Sequence, residues 1–214
     1  MKLYFIRHGE TYLNKYKKMQ GWADAPLTPS GEEVAILTGK RLEDIKFAGV
    51  YSSDLGRTIK TAQIILDHNK QKEDVEIKSI RELRETFFGS FEGNNGLEVY
   101  KQMADNLGIP QEDIFKKLSL KEIADEMKKV DPTEDTESYD EFWNRILSGL
   151  KLITSDVEEK DEEKNILVVT HGNVIRSVVN YVDPSINVKR EIANSSITIL
   201  EYRDETYSVK DFNI

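Results

Sequence analysis

Two apolar runs, Leu3 to Ile6 and Ile166 to Val169, constrain this chain more than any other feature. Each is continuous rather than alternating and short, so each reads as a strand covered on both faces. Both end alike: Arg7 is followed by His8-Gly9, and Thr170 by His171-Gly172. Strands buried on both sides belong to a mostly parallel sheet with helices above and below. In open sheets of that kind ligands bind outside the carboxyl ends of the strands, and both His-Gly pairs fall there.

The same reading expects strands at Lys2 to Arg7, Ala48 to Ser52, Val75 to Ile80 and Asn165 to Thr170, and a closing hairpin, Ser196 to Arg203 with Thr206 to Phe212, around Asp204-Glu205. Thr28 suits an N-cap and Pro29 a first helical position. Glu32 and Glu33 favour the positive end of the dipole, and Ala35, Thr38, Leu42 and Ile45 keep helical spacing. A second helix starts near Asp54, carries Leu55, Ile59, Ala62, Ile65 and Leu66 on one face, and ends in Asp67-His68-Asn69-Lys70. A third runs from Glu137 to Ile153, and Asp156 to Lys164 reads as a solvated charged connection. Residues of about 94–135 are lysine-rich and weakly periodic, with breakers at Gly108-Ile109-Pro110 and Asp131-Pro132. That stretch reads as a helical insertion forming a mobile, solvated lid. The expected architecture is one domain over 1–214, a three-layer α/β/α sandwich with a mostly parallel central sheet.

Charge and composition narrow the partners. Asp and Glu total 39 against 30 Lys and Arg, and a net charge of -9 argues against general nucleic-acid or anionic-membrane binding, so any anion site must be local. No cysteine is present, which excludes disulfides and a thiol nucleophile and fits a reducing, cytoplasmic setting. No run is long enough to span a membrane.

There are three histidines, and His68, at the polar end of a helix, reads as a surface group. One strand-end histidine usually only hydrogen-bonds backbone. Two His-Gly pairs joined by Arg7, and by Arg57 just after Ser52-Ser53-Asp54, change that reading. The glycines allow sharp turns that expose N–H groups, and the guanidinium forks match a tetrahedral oxyanion. The fitting ligand is phosphate. Metal binding fits poorly, since no two histidines stand at i, i+4, and Thr38-Gly39-Lys40 lacks the upstream glycine of a Walker loop.

The ordered set Arg7-His8-Gly9-Glu10-Thr11 with Asn14, Gln20-Gly21-Trp22, Pro26-Leu27-Thr28, Ser52-Ser53-Asp54-Leu55 with Arg57 and Thr58, Glu85 with Phe88-Gly89, Glu92-Gly93 and Thr170-His171-Gly172 resembles the histidine phosphatase superfamily, phosphoglycerate mutase-like branch. The resemblance implies that His8 is the nucleophile and forms a phosphohistidine. Arg7, Arg57 and a protonated His171 then stabilise the transferring group, with no metal and no cofactor. Two guanidinium groups near His8 depress its pKa and keep the attacking imidazole neutral. The family pattern places the proton donor at Glu85, with Glu82 as the rival, and implies turnover at acidic to neutral pH. Asn14, Gln20, Gly21, Gly172 and Asn173 match positions that contact phosphate or substrate in the family. Trp22 and Trp143 read as packing residues, Ser138 as an N-cap and Glu92-Gly93 as turn support.

Three outcomes remain open on the residues: hydrolysis of a small phosphorylated metabolite, phosphoryl return to a retained ligand as in the mutases, or a silent phosphate-binding module. In the mutases, arginines of the insertion hold the substrate carboxylate, whereas Glu85 to Asn144 of this chain contains no arginine. Lys101, Lys116 and Lys117 lack the planar bidentate grip, so hydrolysis is the favoured expectation. The natural substrate and the oligomeric state are not written in the sequence.

Overall fold

The computed structural model describes residues 1–71, 75–156 and 164–214. Strand β1 (Lys2–Arg7) lies inside a six-stranded sheet with β2 (Phe47–Ser52), β3 (Ile77–Ser79), β4 (Asn165–Thr170), β5 (Ile197–Arg203) and β6 (Thr206–Asp211), in the order β3-β2-β4-β1-β5-β6. The first four strands run parallel, and the β5–β6 hairpin closes the edge antiparallel.

Register decides what this sheet presents. β1 and β4 pair in step from Lys2 with Asn165 to Arg7 with Thr170, so the residues after each strand emerge at one level. The ladder continues one bond further, His8 N–H donating to Thr170 C=O at 2.9 Å. On the other side of β4, Ser52 pairs with Val169, which brings Ser53 and Asp54 to the same edge.

Alternation of side chains fills both faces. Leu3, Phe5, Ile166 and Val168 pack under α7 (Tyr139–Asp156) and α8 (Gly172–Val182) with Phe142, Ile146, Val174 and Val178. Tyr4, Ile6, Leu167 and Val169 pack against Leu42, at the end of α2 (Pro29–Arg41), and Ala62 and Ile65 of α3 (Gly56–Asp67). Helices therefore cover the sheet on both sides. Thr28 caps α2, accepting from Gly31 N–H, with Pro29 as the first helical residue.

Boundaries differ in detail from the sequence expectation. β3 starts at Ile77 rather than Val75, and its exposed Lys78 marks a short edge strand. α7 starts at Tyr139 because Ser138 forms a capping box with Glu141, and it extends past Ile153 to Asp156. Most of the charged connection expected from Asp156 to Lys164 lies outside the described residues.

The stretch after Asn94 holds α4 (Gly96–Leu107), a short α5 (Ile114–Lys117) and α6 (Leu120–Val130). It has a core of its own: Val99, Met103, Ala104, Ile114, Ile123 and Met127 pack with Met19, Phe88 and Phe91. A solvated description fits only its outer face, where Lys117 pairs with Asp113 and Lys121 with Asp125 and Asp140.

Asp131 ties the end of this unit to the loop beneath it. Its carboxylate accepts from the Ser90 hydroxyl and from the N–H and hydroxyl groups of Thr133 and Thr136. Burial alone would raise its pKa, but the Ser90 and Thr136 donors outweigh it and hold the carboxyl well below the usual range. Gly89 sits against this carboxylate at φ +54, and a Cβ there would meet Asp131 Oδ2 at 2.1 Å, so glycine is required. Asp131→Ala should strand several buried donors and lower the unfolding free energy by about 2–3 kcal/mol. Urea denaturation checks this, and a loss under about 0.5 kcal/mol, as for an ordinary surface change, would contradict it.

Candidate active site

The carboxyl edge of β1, β4 and β2 carries His8, His171 and Ser53, all buried. The His8 and His171 rings lie 5.2 Å apart, centroid to centroid, edge to face. His8 Nδ1 is 2.8 Å from its neighbour's carbonyl, Gly9 O, and a carbonyl only accepts. Nδ1 therefore carries the proton, which leaves Nε2 with its lone pair free. Burial, then Arg57 and Arg7, push the His8 pKa well below its ordinary value, so the imidazole is neutral.

Gly9 serves a purpose other than exposing its N–H. That N–H donates to Thr61 Oγ1 at 3.0 Å, and a Cβ on Gly9 would stand 2.8 Å from Gly31 O, so the glycine allows α2 to approach.

His171 is neutral as well, where the sequence suggested an imidazolium. Burial lowers its pKa most, followed by Arg57. Donor counting fixes its tautomer. Thr58 Oγ1 donates to the carbonyls of Ser53 and Leu55, so Ser53 Oγ donates to Thr58 Oγ1 and accepts from His171 Nε2 at 2.8 Å. His171 Nδ1 then accepts from Arg57 Nη2 at 3.2 Å.

Arg57, in the first turn of α3, is almost wholly buried. Nη1 donates to Ala23 O and Asp24 Oδ1, both at 2.9 Å, and Nη2 to Gly21 O at 2.6 Å. Its Nε has no partner in the protein, and neither do the buried Arg7 Nε and Gln20 Nε2. Arg7 is held by Nη1 donating to Ile192 O, and Gln20 by its Oε1 accepting from Thr11. Buried unpaired donors cost about 1–3 kcal/mol each, and a cluster of them suits an oxyanion.

Glu85 lines a cleft of about 400 Å³ together with Arg7, Asn14, Gln20, Gly172 and Asn173. Its Oε1 accepts from Thr86 N–H at 2.9 Å and its Oε2 from Asn173 N–H at 3.1 Å. Burial raises its pKa above the ordinary carboxyl value against the pull of those N–H groups, Arg57 and Arg7. Glu82 is not among the lining residues. Gly21 is used internally: its carbonyl holds Arg57, its N–H donates to Glu92, and a Cβ would meet Thr86 O at 2.0 Å.

This arrangement can bind an anion, attack it with a neutral imidazole nitrogen and protonate a leaving oxygen. A family profile described as histidine phosphatase superfamily (branch 1) matches residues 3–214. The chain belongs to the histidine phosphatase superfamily. It is an enzyme of the phosphoglycerate mutase-like type. A crystal structure of phosphoglycerate mutase from Bacillus anthracis superposes with a TM-score of 0.94 at 36% identity, covering 100% of this chain and 92% of that one. A broad-specificity phosphatase of Saccharomyces cerevisiae is 32% identical over 208 residues, 94% of this chain and 80% of its own length. A 2,3-bisphosphoglycerate-dependent phosphoglycerate mutase of Streptococcus gordonii is 29% identical over 238 residues, 99% of this chain and 98% of its own.

Sequence reasoning about this histidine phosphatase missed several residues. Glu92 is more than turn support: its carboxylate accepts from the N–H groups of Gly21, Trp22, Ala23 and Phe88, anchoring the loop that holds Arg57. Asp24, Tyr100 and Arg176 were also passed over. Arg176 lies in the cleft with Lys18 and Lys189, and its position shortly after His171-Gly172 was the available signal. Ser53 and Thr58 do bond locally, and through that bond they orient His171.

The two shifts set the pH dependence. His8 has a lowered pKa, so its neutral form persists below pH 6.5, and Glu85 has a raised pKa, so its acid form persists above pH 4.5. If catalysis uses neutral His8 and protonated Glu85 together, kcat/KM should peak on the acidic side of neutrality and fall as pH rises. Glu85→Gln should lose the alkaline limb, and a rate still climbing above pH 8 in the unmodified enzyme would contradict the assignment.

Proposed function

We propose that this enzyme hydrolyses phosphomonoesters of small metabolites through a phosphohistidine on His8, without a metal ion. The observation that carries the reading is the His8 tautomer: Nδ1–H is bound to Gly9 O, which leaves Nε2 as the free nucleophilic nitrogen on a buried floor.

His8 Nε2 attacks phosphorus in line, the P–O bond to the leaving group breaks, and Glu85 delivers its proton to the departing oxygen. Water then attacks the phosphohistidine and gives a proton to the Glu85 carboxylate, which restores both groups. Arg7, Arg57, Gln20 and Asn14 hold the phosphoryl oxygens, and charge stabilisation of this kind supplies most of the catalysis in phosphoryl transfer. An arriving phosphate dianion raises the pKa of Glu85 and His171 alike, which brings His171 toward the imidazolium form. Among the described residues no group of three or more His, Asp or Glu side chains is arranged to hold a metal ion.

Water is the favoured acceptor because residues 85–144 contain no arginine to grip a substrate carboxylate. The likeness to the Bacillus anthracis phosphoglycerate mutase, and Arg176 in the cleft, favour a second reading in which the ligand is retained and rephosphorylated. A small anionic metabolite suits the cations Lys18, Arg176 and Lys189 around the cleft. The acidic chain without cysteine suits the cytoplasm and no nucleic-acid partner. No helix among the described residues is long and apolar enough to cross a membrane.

Given 3-phosphoglycerate with and without 2,3-bisphosphoglycerate, in the presence of a chelator, the enzyme should release phosphate faster than it forms 2-phosphoglycerate. Formation of 2-phosphoglycerate that is stimulated by the bisphosphate and outruns phosphate release would establish the mutase reading instead.

A further inference from the structure

Residues 84–88, which carry Glu85, lie in neither helix nor strand. Side chains from distant parts of the chain hold their backbone in place. Arg145, on α7, donates from Nη1 to the carbonyls of Glu82 at 3.0 Å and Arg84 at 2.8 Å, and from Nη2 to Glu85 O at 3.0 Å. Its Nε and Nη2 fork onto the Glu137 carboxylate at 2.9 and 2.7 Å, so every N–H of the guanidinium is engaged. Glu137 is itself paired with the same segment: Phe87 N–H donates to its Oε2, and its own N–H donates to Phe87 O, both at 2.9 Å.

Trp22 supplies the second hold on Glu85. Its Nε1 donates to Glu85 O at 3.0 Å, so both lone pairs of that carbonyl are taken. The indole ring in turn lies 4.8, 4.7 and 5.9 Å from the guanidinium carbons of Arg81, Arg84 and Arg145. None of these three arginines is among the residues that line the cleft.

We propose that Arg145, forked onto Glu137 and seated by Trp22, is a positioning residue that fixes the Glu85 carboxyl where the leaving oxygen must be protonated. The proposal rests on Glu85 acting as the proton donor. A donor displaced by about 1 Å forfeits much of its effect, and the carboxyl's own bonds, to Thr86 N–H and Asn173 N–H, leave the backbone that bears it unfixed. The leaving group supplies a readout that a merely structural arginine would not move. A dinitrophenolate departs without a proton, whereas the alkoxide of glycerol needs one. The Arg145 charge also bears on His171, but in the proposed mechanism His171 acts on the phosphoryl group common to all substrates, so that influence is independent of the leaving group.

The experiment is steady-state kinetics of the full chain on dinitrophenyl phosphate and glycerol phosphate, with Glu85→Gln as the reference. Glu85→Gln and Arg145→Ala should each lose at least about tenfold more kcat/KM on glycerol phosphate than on dinitrophenyl phosphate. Arg145→Lys should recover part of the difference. Trp22→Phe keeps an aromatic ring, removes the indole N–H together with the five-membered ring that bears it, and should shift the ratio in the same direction by a smaller factor. If Arg145→Ala fails to fold by circular dichroism, Trp22→Phe and Arg145→Lys decide. Equal losses on both substrates, or none, in the folded Arg145 and Trp22 variants while Glu85→Gln is selective would overturn the proposal alone. An unselective Glu85→Gln would overturn the proton-donor reading and the proposal with it.

Discussion

The in-step pairing of β1 with β4 is the constraint from which the site follows. Arg7 stands opposite Thr170, so His8 and His171 leave the sheet side by side and their rings meet at 5.2 Å. A slip of one residue would shift one histidine by about 3.3 Å and turn its strand's buried side chains to the wrong face. Leu3 and Phe5 would then oppose the layer built for Tyr4 and Ile6. The two hydrophobic layers thus enforce the register, and the register assembles the site.

Charge is the second organising feature. Arg7 and Arg57 are buried next to two imidazoles and a carboxyl, and burial opposes ionisation of them all. The guanidinium groups stay charged because they have carbonyl partners and, for Arg57, the Asp24 carboxylate. The histidines yield instead and remain neutral, while the carboxyl is pushed toward the acid form. Arg7 Nε, Arg57 Nε and Gln20 Nε2 are left unpaired. The fold gives up stability here so that an anion finds donors already fixed in place.

Much of this was legible because strand, helix and cap signals are local. The His-Gly pairs stand at the ends of apolar runs, Thr28-Pro29 opens α2 as expected, and Arg57 begins α3 one strand away. What escaped notice acts across the chain, through side chains that hold irregular backbone. Glu92 gathers four N–H groups, three of them from residues 69 to 71 positions away, and Arg145 holds three carbonyls about 60 positions away. No periodicity records such contacts, since neither partner segment has a repeat. The glycine after His8 was legible as a necessity but not for its reason, because the approach of Gly31 belongs to the packing of α2. The neutral form of His171 was likewise not legible, since burial and the Arg57 contact are properties of the folded site.

The covalent step on one imidazole is the centre of the account, and trapping it is the direct measurement. Enzyme mixed briefly with a phosphomonoester, denatured at alkaline pH and mapped by mass spectrometry should carry one added phosphoryl group on the peptide containing His8, and His8→Ala should carry none. A phosphoryl group found on any other residue, or turnover that survives in His8→Ala, would contradict the account.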